Sequence, residues 1–297
     1  MWFFAILLAG FTAGQPPQLD EILRRVSEEA EVFVRMAPAM FAEETLQQRA
    51  RRPVPRFRPR IGDAALKPPP VEYQTREIVS EYGFAAFKES PSVLHEFRQV
   101  ITVDSRQKLA PEKARQTLTL GIRSADDKVK KRMLVDFEKH GLIGTVTDFG
   151  QVILLFTRRR LEQYQFAIAG TTRLGAEPVV QVSFQQTEGT QSFTVFEGRR
   201  ALHQPLRGEI WVRTPDLAPV RITLSAVRQD DKVAVRDEAA VDYVMSAHGV
   251  VLPAAVVHRQ FRGEDLVAEN VFRYATFRKF SAESEVKFTE VPREQPE

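Results

Sequence analysis

Cysteine is absent from the 297 residues of this chain. Its absence excludes disulfide bonds, thiolate nucleophiles and metal sites built on cysteine. It also excludes the lipid-attachment cysteine that a bacterial lipoprotein carries after its signal peptide. A large excess of charge is missing too, because the formal net charge is only +3 at pH 7. A general nucleic-acid-binding protein needs a concentrated basic face, so no nucleic-acid partner is predicted.

Recognisable catalytic and cofactor motifs are also lacking. No G-x-S-x-G, Walker-type or G-x-G-x-x-G motif marks a nucleophile or a phosphate-binding loop. The paired carboxylates Asp126-Asp127 and Asp230-Asp231 stand where helix starts and turns favour acidic residues. The chain has five histidines without metal-ligand spacing, which are predicted at surface or turn positions: His95, His140, His203, His248 and His258. We therefore predict a protein without enzyme activity, metal or cofactor. An uncharacterised hydrolase remains an alternative, since catalytic groups gather in space rather than in sequence.

The apolar block at the start of the chain covers only residues 2–11. A transmembrane helix needs about 20 apolar residues, so this block is too short to cross a bilayer. Small residues follow it at Thr12 and Gly14, which predicts a signal peptide over residues 1–14, although no Lys or Arg precedes Trp2. The alternative is a buried N-terminal strand or helix. A signal peptide predicts a periplasmic or secreted protein.

Residues 15–48 are predicted to form an N-terminal helix. Apolar residues recur along one face at helical spacing: Leu19, Ile22, Val26, Ala30, Phe33 and Ala37. Asp20 and Glu21 favour the helix start, and Pro38 is expected to kink or break the helix. We expect this helix to pack on a sheet. The alternative is a lid over a cavity.

Residues 49–70 are predicted to be a linker rich in arginine and proline. Six arginines and three prolines lie within residues 49–60, and their alternation favours an extended, solvated backbone. The functional alternative is contact with an anionic membrane surface, where each clustered arginine gains about 1 kcal/mol. The arginines assigned to that contact are Arg51, Arg52, Arg56, Arg58 and Arg60.

Residues 71–291 show the period-2 alternation of antiparallel strands. Runs at residues 73–87 and 93–103 predict a hairpin, and a helical insertion is predicted at about residues 111–141. These elements predict an α+β fold. In this fold a large curved antiparallel sheet forms a half-open barrel, and the N-terminal and inserted helices pack on it.

Two local features of the later chain carry further expectations. The continuous apolar run Val152–Phe156 predicts a strand that is covered on both faces. A bulge is predicted at Asp237, in the middle of an alternating segment. Residues 292–297 are predicted to form a disordered tail.

The central hairpin at residues 208–226 carries a recognisable motif. The motif is a glycine, a strand with tryptophan, and a proline shortly before a basic residue: Gly208, Trp211, Pro219 and Arg221. A second glycine turn leads into a Leu-Pro strand at residues 249–253. Over residues 151–288 the chain therefore resembles the LolA/LolB type of periplasmic lipoprotein carrier. The resemblance implies an unclosed antiparallel barrel that holds a hydrophobic cavity beneath helices.

The fold so implied predicts an exported, non-enzymatic binding protein that holds a lipid, an acyl chain or another apolar ligand and serves in envelope lipoprotein or lipid handling. The alternation of the strands selects candidate cavity residues: Phe166, Ile168, Val182, Phe184, Ile210, Val212, Ile222 and Leu224. The alternative within the same fold type is a periplasmic interaction or regulatory module with an envelope protein partner. Trp211 points to the other face with Glu209 and Arg213. Its ring is expected to be covered there, either by arginine side chains that stack on it or by a helix or loop that crosses this face.

Overall fold

The computed structural model describes residues 18–53, 71–146, 148–187, 194–197, 200–203, 205–230, 233–275 and 277–280. The predicted signal peptide, the predicted tail and most of the predicted linker lie outside these residues. The helices are α1 Leu19–Met36, α2 Pro111–Arg123 and α3 Asp127–Glu138. Short 3₁₀ helices lie at Ala37–Ala39, Val152–Phe156 and Leu161–Gln163. The strands are β1 Met40–Arg51, β2 Tyr73–Phe87, β3 Ser90–Val103, β4 Arg106–Gln107, β5 Tyr164–Leu174, β6 Glu177–Gln186, β7 Thr194–Glu197, β8 Arg200–His203, β9 Leu206–Arg213, β10 Pro219–Asp230, β11 Val233–Met245, β12 Val251–Arg262, β13 Asp265–Tyr274 and β14 Arg278–Lys279.

Twelve strands of the described residues form one sheet, and β7 and β8 form a separate two-stranded sheet. The order in the main sheet is β4-β3-β2-β1-β13-β12-β11-β10-β9-β6-β5, with β14 against β1. All of these pairings are antiparallel. The two end strands, β4 and β5, do not pair with each other, so the sheet stays open. The prediction of an α+β fold built on an open, curved antiparallel sheet is confirmed.

The two faces of the sheet differ in chemistry because residues opposite each other on neighbouring strands point to the same side. Val182 lies opposite Ile210, which in turn lies opposite Ile222, and all three side chains are fully buried. We call the face that carries these residues the inner face. The opposite, outer face carries polar residues of the same strands, such as Glu209 and Thr223.

Different helices cover the two faces. α1 packs toward the inner face through a buried stripe formed by Ile22, Val26, Ala30 and Phe33. α2 and α3 cover the outer face at β2 and β3, where Leu118 and Met133 join Phe97 in a second hydrophobic cluster. Among the described residues, no helix combines the length and the apolar character that crossing a membrane requires.

The prediction of a helix over residues 15–48 is wrong in its second half. α1 ends at Met36, the proline that follows lies in a 3₁₀ turn, and β1 begins at Met40. The reason is that the inward positions of β1 include Glu44 and Gln48, which are both buried. Two polar residues on the buried side concealed the period-2 alternation that would have predicted a strand.

The apolar run Val152–Phe156 is buried, but it forms a 3₁₀ helix instead of the predicted strand. The hydroxyl of Tyr243 accepts a hydrogen bond from the Ile153 amide at 3.0 Å and donates one to the Gly150 carbonyl at 3.1 Å. A side chain therefore satisfies buried backbone groups that a neighbouring strand would otherwise satisfy. We call Val152–Phe156 the inner helix.

Candidate functional site on the inner face

The structure brings most of the predicted cavity residues together on one surface. Six of them lie on the inner face of β6, β9 and β10 and are buried in the main hydrophobic core: Val182, Phe184, Ile210, Val212, Ile222 and Leu224. Phe166 of β5 is partly buried and packs against the same core. Ile168 is not buried with them. It lies near the edge of the sheet and is 46% exposed.

The chain itself occupies the space above these residues. The ring centroid of Phe156, at the end of the inner helix, lies 5.0 Å from that of Phe184 and 6.1 Å from that of Phe166. Tyr164 completes the aromatic group, with its centroid 5.7 Å from that of Phe156. Phe156 is fully buried. The surface predicted to hold a ligand is therefore filled by an aromatic side chain of the protein.

α1 packs against the inner helix. Its buried residues Ile22, Val26 and Phe33 share one core with Ile153. Glu31 of α1 accepts a hydrogen bond from the amide of Arg158, at 3.3 Å, just after the inner helix. α1 also reaches the sheet itself, where the ring centroid of Phe33 lies 5.1 Å from that of Phe84 on β2. The inner helix and α1 therefore cover the inner face together.

A buried polar network anchors the segment that leads into the inner helix, of which residues 141–146 and 148–150 are described. Gln48 of β1 accepts a hydrogen bond from the Leu142 amide at 2.9 Å, and its own amide donates to Asn270 Oδ1 at 2.6 Å. Asn270 of β13 donates to the Gly144 carbonyl at 2.8 Å. Both side chains are almost fully buried. Because each partner is hydrogen-bonded, the polar groups stabilise this segment instead of destabilising the core.

The network continues to a histidine–aspartate pair. His258 is only 1% exposed, and its Nε2 lies 3.2 Å from Asp237 Oδ1 while its Nδ1 lies 3.2 Å from Asn270 Nδ2. Burial acts to raise the pKa of the Asp237 carboxyl, but the hydrogen bond and charge of His258 lower it below its usual value. Gln260 and Arg228 contribute to the same lowering of the pKa.

Two sequence predictions are wrong at this pair. His258 is a buried residue and not a surface or turn residue, because it bonds Asp237 beneath the covered face. The register of β11 against β12 shifts between Asp242 and Tyr243 and is regular at Asp237. Asp237 therefore keeps its place in the alternation as an inward residue, and no bulge is needed to accommodate it.

A second buried cluster contains an arginine between two glutamates. Arg98 of β3 binds both carboxylate oxygens of Glu44, through Nε and Nη2 at 2.7 Å each. Its Nη2 also donates to Glu96 Oε2 at 2.7 Å. The guanidinium carbon lies 5.0 Å from the ring centroid of Tyr82 and 4.9 Å from that of Phe137. Removing three charged groups from water is costly. The short hydrogen bonds between Arg98 and the two carboxylates offset that cost.

Glu96 links this cluster to the anchored segment. Its Oε2 accepts a hydrogen bond from the Asp148 amide at 3.1 Å, and the Asp148 carboxylate accepts one from the Glu96 amide at 2.8 Å. Burial raises the pKa of the Glu96 carboxyl, while Arg98 acts to lower it and the nearby carboxylates of Asp148 and Glu44 add to the rise. The polar groups of the inner face thus hold Leu142, Gly144 and Asp148 in place.

Sequence reasoning missed both polar networks. A sequence signal for them was available. It is a charged or amide residue whose neighbours at positions i−2 and i+2 are apolar. Glu44 and Gln48 flank Leu46 in this way, and Asn270 precedes Phe272. Reading such residues as inward-facing predicts a buried hydrogen-bonded network, because a buried polar side chain requires a partner.

The predicted anionic-contact arginines lie partly within the structure. Arg51 ends β1, inside the segment predicted to be linker, and its Nη1 lies 3.1 Å from Asp265. Arg52 lies 3.1 Å from Glu72. Arg56, Arg58 and Arg60 lie outside the described residues. Contact with an anionic membrane surface stays a prediction.

A groove of about 910 Å³ lies on the outer face, across β5, β6 and β9 to β12. Its lining includes small side chains such as Ala240 and Ser183 and charged side chains such as Arg207. Trp211 is half-buried on this face, where the Arg221 guanidinium carbon lies 5.7 Å from its ring. The expected arginine cover of Trp211 is therefore present.

In comparisons with known proteins, the chain is similar to several solved structures. No protein-family model matches the chain. No curated protein matches it either. The chain is similar, at 9% identity and a TM-score of 0.36, to a LolA superfamily protein from Nitrosomonas europaea, with 90% of this chain and 97% of that chain covered. It is similar, at 10% identity and a TM-score of 0.34, to a DUF1329 family protein from Desulfovibrio piger, with 89% and 97% covered.

A third similar structure is that of MucB in complex with MucA(peri), at 10% identity and a TM-score of 0.22, with 89% of this chain and 100% of that chain covered. The sequence resemblance at the central hairpin is to the same superfamily as the Nitrosomonas protein. These identities and TM-scores are low, and the function is therefore inferred from the residues of this chain.

Proposed function

We propose that this protein is an exported, non-enzymatic binding protein that takes up an acyl chain or another apolar ligand at the inner face of its sheet. The observation that supports the proposal is the contact between the inner helix and the predicted cavity residues. Phe156 occupies the surface of Phe184 and Phe166 as a ligand would. In this proposal the ligand replaces Phe156, and the inner helix moves away with α1.

The covering elements suit such an exchange. The inner helix is a single short 3₁₀ helix, and hydrogen bonds in 3₁₀ geometry are weaker than those of an α-helix. α1 is connected in sequence to β1 by the 3₁₀ turn Ala37–Ala39, which contains Pro38 and can act as a hinge. Neither element is part of the sheet, so their movement leaves the strand pairings intact.

The energetic balance favours ligands with several methylene groups. Moving a buried phenylalanine side chain into water costs about 1.5–3 kcal/mol, and each buried methylene contributes about 0.8 kcal/mol. An acyl chain that buries about four methylenes therefore offsets the displacement of the Phe156 ring alone. Side chains of the moving elements that lose their cover, such as Ile153 and Val26, add to the cost and require a longer chain. Longer chains leave a net gain, which must also offset the loss of freedom of the bound ligand.

The experiment is a titration of the exported protein with a fluorescent fatty acid such as cis-parinaric acid. Phe156→Ala should bind the probe more tightly than the wild-type protein, because the ring that competes with the ligand has been removed. Phe97→Ala is the matched control, since Phe97 is equally buried but lies in the other hydrophobic cluster, beneath α2.

Equal affinities of Phe156→Ala and Phe97→Ala would refute the site. Phe156→Leu provides a milder version of the same test, because it keeps most of the apolar volume while removing the ring. Native mass spectrometry of gently purified wild-type protein should additionally reveal a copurified lipid. Wild-type protein that neither carries lipid nor binds the probe would refute the proposed function itself.

A further inference from the structure

The strand β5 is the last strand at one edge of the main sheet. Within the described residues, β6 is its only strand partner, although β5 is 11 residues long. Residues 164–172 contain neither a charged residue nor a proline. Natural edge strands are usually short, charged, bulged or covered, because an unpaired row of backbone groups readily pairs with another chain. β5 lacks most of these protections over its first half.

The other edge of the same sheet is protected. It ends in β4, which has only two residues, Arg106 and Gln107. β3 beside it carries Glu96 and Arg98 as inward-pointing charges. Both features discourage edge-to-edge pairing. The two edges of the sheet therefore differ, and β5 is the less protected one.

The backbone groups that β5 offers at this edge can be identified. The Gln163 carbonyl accepts a hydrogen bond from the Thr187 amide at 2.8 Å, so it points toward β6. Backbone groups alternate in direction along an antiparallel strand. The amide and carbonyl groups of Phe166 and Ile168 therefore point outward, away from β6.

Two apolar side chains stand beside these backbone groups. Phe166 is only partly buried and Ile168 is 46% exposed, and both lie on the same face of β5. Aromatic and β-branched side chains placed opposite each other on paired strands stabilise the pairing. The register of β5 shifts after Ile168, which limits the regular part of the edge to the residues before it.

We infer that β5 is the docking edge for a second copy of this chain, in an antiparallel β5–β5 pair centred on Ala167. In this register Phe166 lies opposite Ile168 of the second copy, and Ile168 lies opposite its Phe166. The outward backbone groups of both residues then form the hydrogen-bonded pairs. The arrangement does not depend on the proposed ligand, because the inner-face core remains closed.

A second copy fits this edge better than an unrelated strand does. The two half-exposed apolar residues are two positions apart, so a two-fold axis at Ala167 makes them cover each other. Residues 164–170 contain no charged residue, so no like charges face each other in this pair. The symmetry also closes the assembly at two copies, because each chain has one such edge and uses it once.

The decisive experiment introduces one cysteine at the proposed axis. The native chain has no cysteine, so Ala167→Cys creates a single thiol. Residues facing each other in a non-hydrogen-bonded antiparallel pair have Cα atoms about 4.5 Å apart, within the range that a disulfide spans. Ala167→Cys should therefore form a covalent dimer under mild oxidation. Ser183→Cys, at the residue paired with Ala167 on β6, should remain monomeric on a denaturing gel.

Sedimentation velocity across a concentration series supplies the second readout. Wild-type protein should sediment as a dimer, and Ile168→Lys should sediment as a folded monomer. Val227→Lys should remain dimeric, because Val227 is similarly exposed at 40% but lies on the central strand β10. Wild-type protein that stays monomeric, or an Ile168→Lys variant that stays dimeric, would overturn the assignment. Failure of Ala167→Cys to cross-link while the dimer persists would overturn the register.

Discussion

Phe156 and Phe184 meet edge to face, with ring centroids 5.0 Å apart and ring planes at 74°. Phe184 belongs to the inner face of the sheet, whereas Phe156 comes from the inner helix that covers it. Aromatic pairs in this geometry contribute about 0.5–1.5 kcal/mol beyond their buried area. The same ring therefore stabilises the closed protein and, in our proposal, competes with the ligand.

The first prediction concerns the stability of the two phenylalanine variants. Phe156→Ala and Phe97→Ala should each lower the free energy of unfolding by about 3–5 kcal/mol, as truncations of fully buried aromatic residues do. Urea denaturation of both variants measures the cost. A loss below about 1 kcal/mol for Phe156→Ala would mean that its ring is not packed as the structure has it.

The second prediction concerns the buried arginine. Arg98→Met should cost about 3–5 kcal/mol, because it leaves the carboxylates of Glu44 and Glu96 buried without their partner. Arg259→Met is the control, since Arg259 is half-exposed and its pair with Glu269 should contribute about 0–1 kcal/mol. Thermal or denaturant unfolding compares the two. Similar losses for both variants would contradict the burial of the cluster.

The third prediction concerns pH. Burial raises the pKa of Glu96, so the folded state holds this proton more tightly than the unfolded chain, whose pKa is about 4.3. The stability that Glu96 contributes is then complete below that value and decreases as the pH rises through the folded-state pKa. Glu96→Gln cannot ionise and keeps an oxygen that can accept from the Asp148 amide.

Unfolding free energies of wild type and Glu96→Gln should therefore diverge in favour of the variant as the pH increases from acid toward neutral. Denaturant titrations at several pH values measure the difference between the two proteins. A difference that is constant with pH, or that grows in favour of the wild type, would contradict the raised pKa.

The strand pattern of the second half of the chain was predictable because its inward residues are apolar. At the central hairpin, Ile210 and Ile222 alternate with polar neighbours, and the structure places both on the inner face. β1 escaped prediction because Glu44 and Gln48 occupy inward positions and are satisfied by residues distant in sequence, Arg98 and Asn270. Local patterning cannot reveal partners that only the tertiary fold supplies.

The sequence also could not predict that the segment Val152–Phe156 covers the inner face. A run such as Val152–Phe156 must be buried, but its apolar character does not distinguish a strand from a short helix. The deciding contact is the Tyr243 hydroxyl, which bonds the backbone on both sides of the run's start. Likewise, the exposure of Ile168 follows from the position of β5 at the end of the sheet, which the strand order alone determines.

The fourth prediction concerns Trp211 on the outer face. Its ring is half-buried beneath Arg221, and its Nε1 donates a hydrogen bond to Glu209 at 2.9 Å. Trp211→Ala should therefore cost about 1–2 kcal/mol, which is about half the burial contribution of a fully enclosed aromatic plus a weak cation–π term. Denaturant midpoints measure this cost. A loss within about 0.5 kcal/mol, the usual range of surface substitutions, would mean that Arg221 does not cover the ring.

The central claim, that a ligand replaces Phe156 by moving the inner helix, is tested most directly by a distance measurement. Spin labels at Arg159→Cys, just after the inner helix, and at Gln185→Cys, on β6, report their separation by double electron–electron resonance. Both positions are exposed, and the native chain has no cysteine that would take up label. Addition of a fatty acid should shift the distance distribution to longer values, with binding verified by native mass spectrometry on the same sample. An unchanged distribution in protein that carries the fatty acid would contradict the claim.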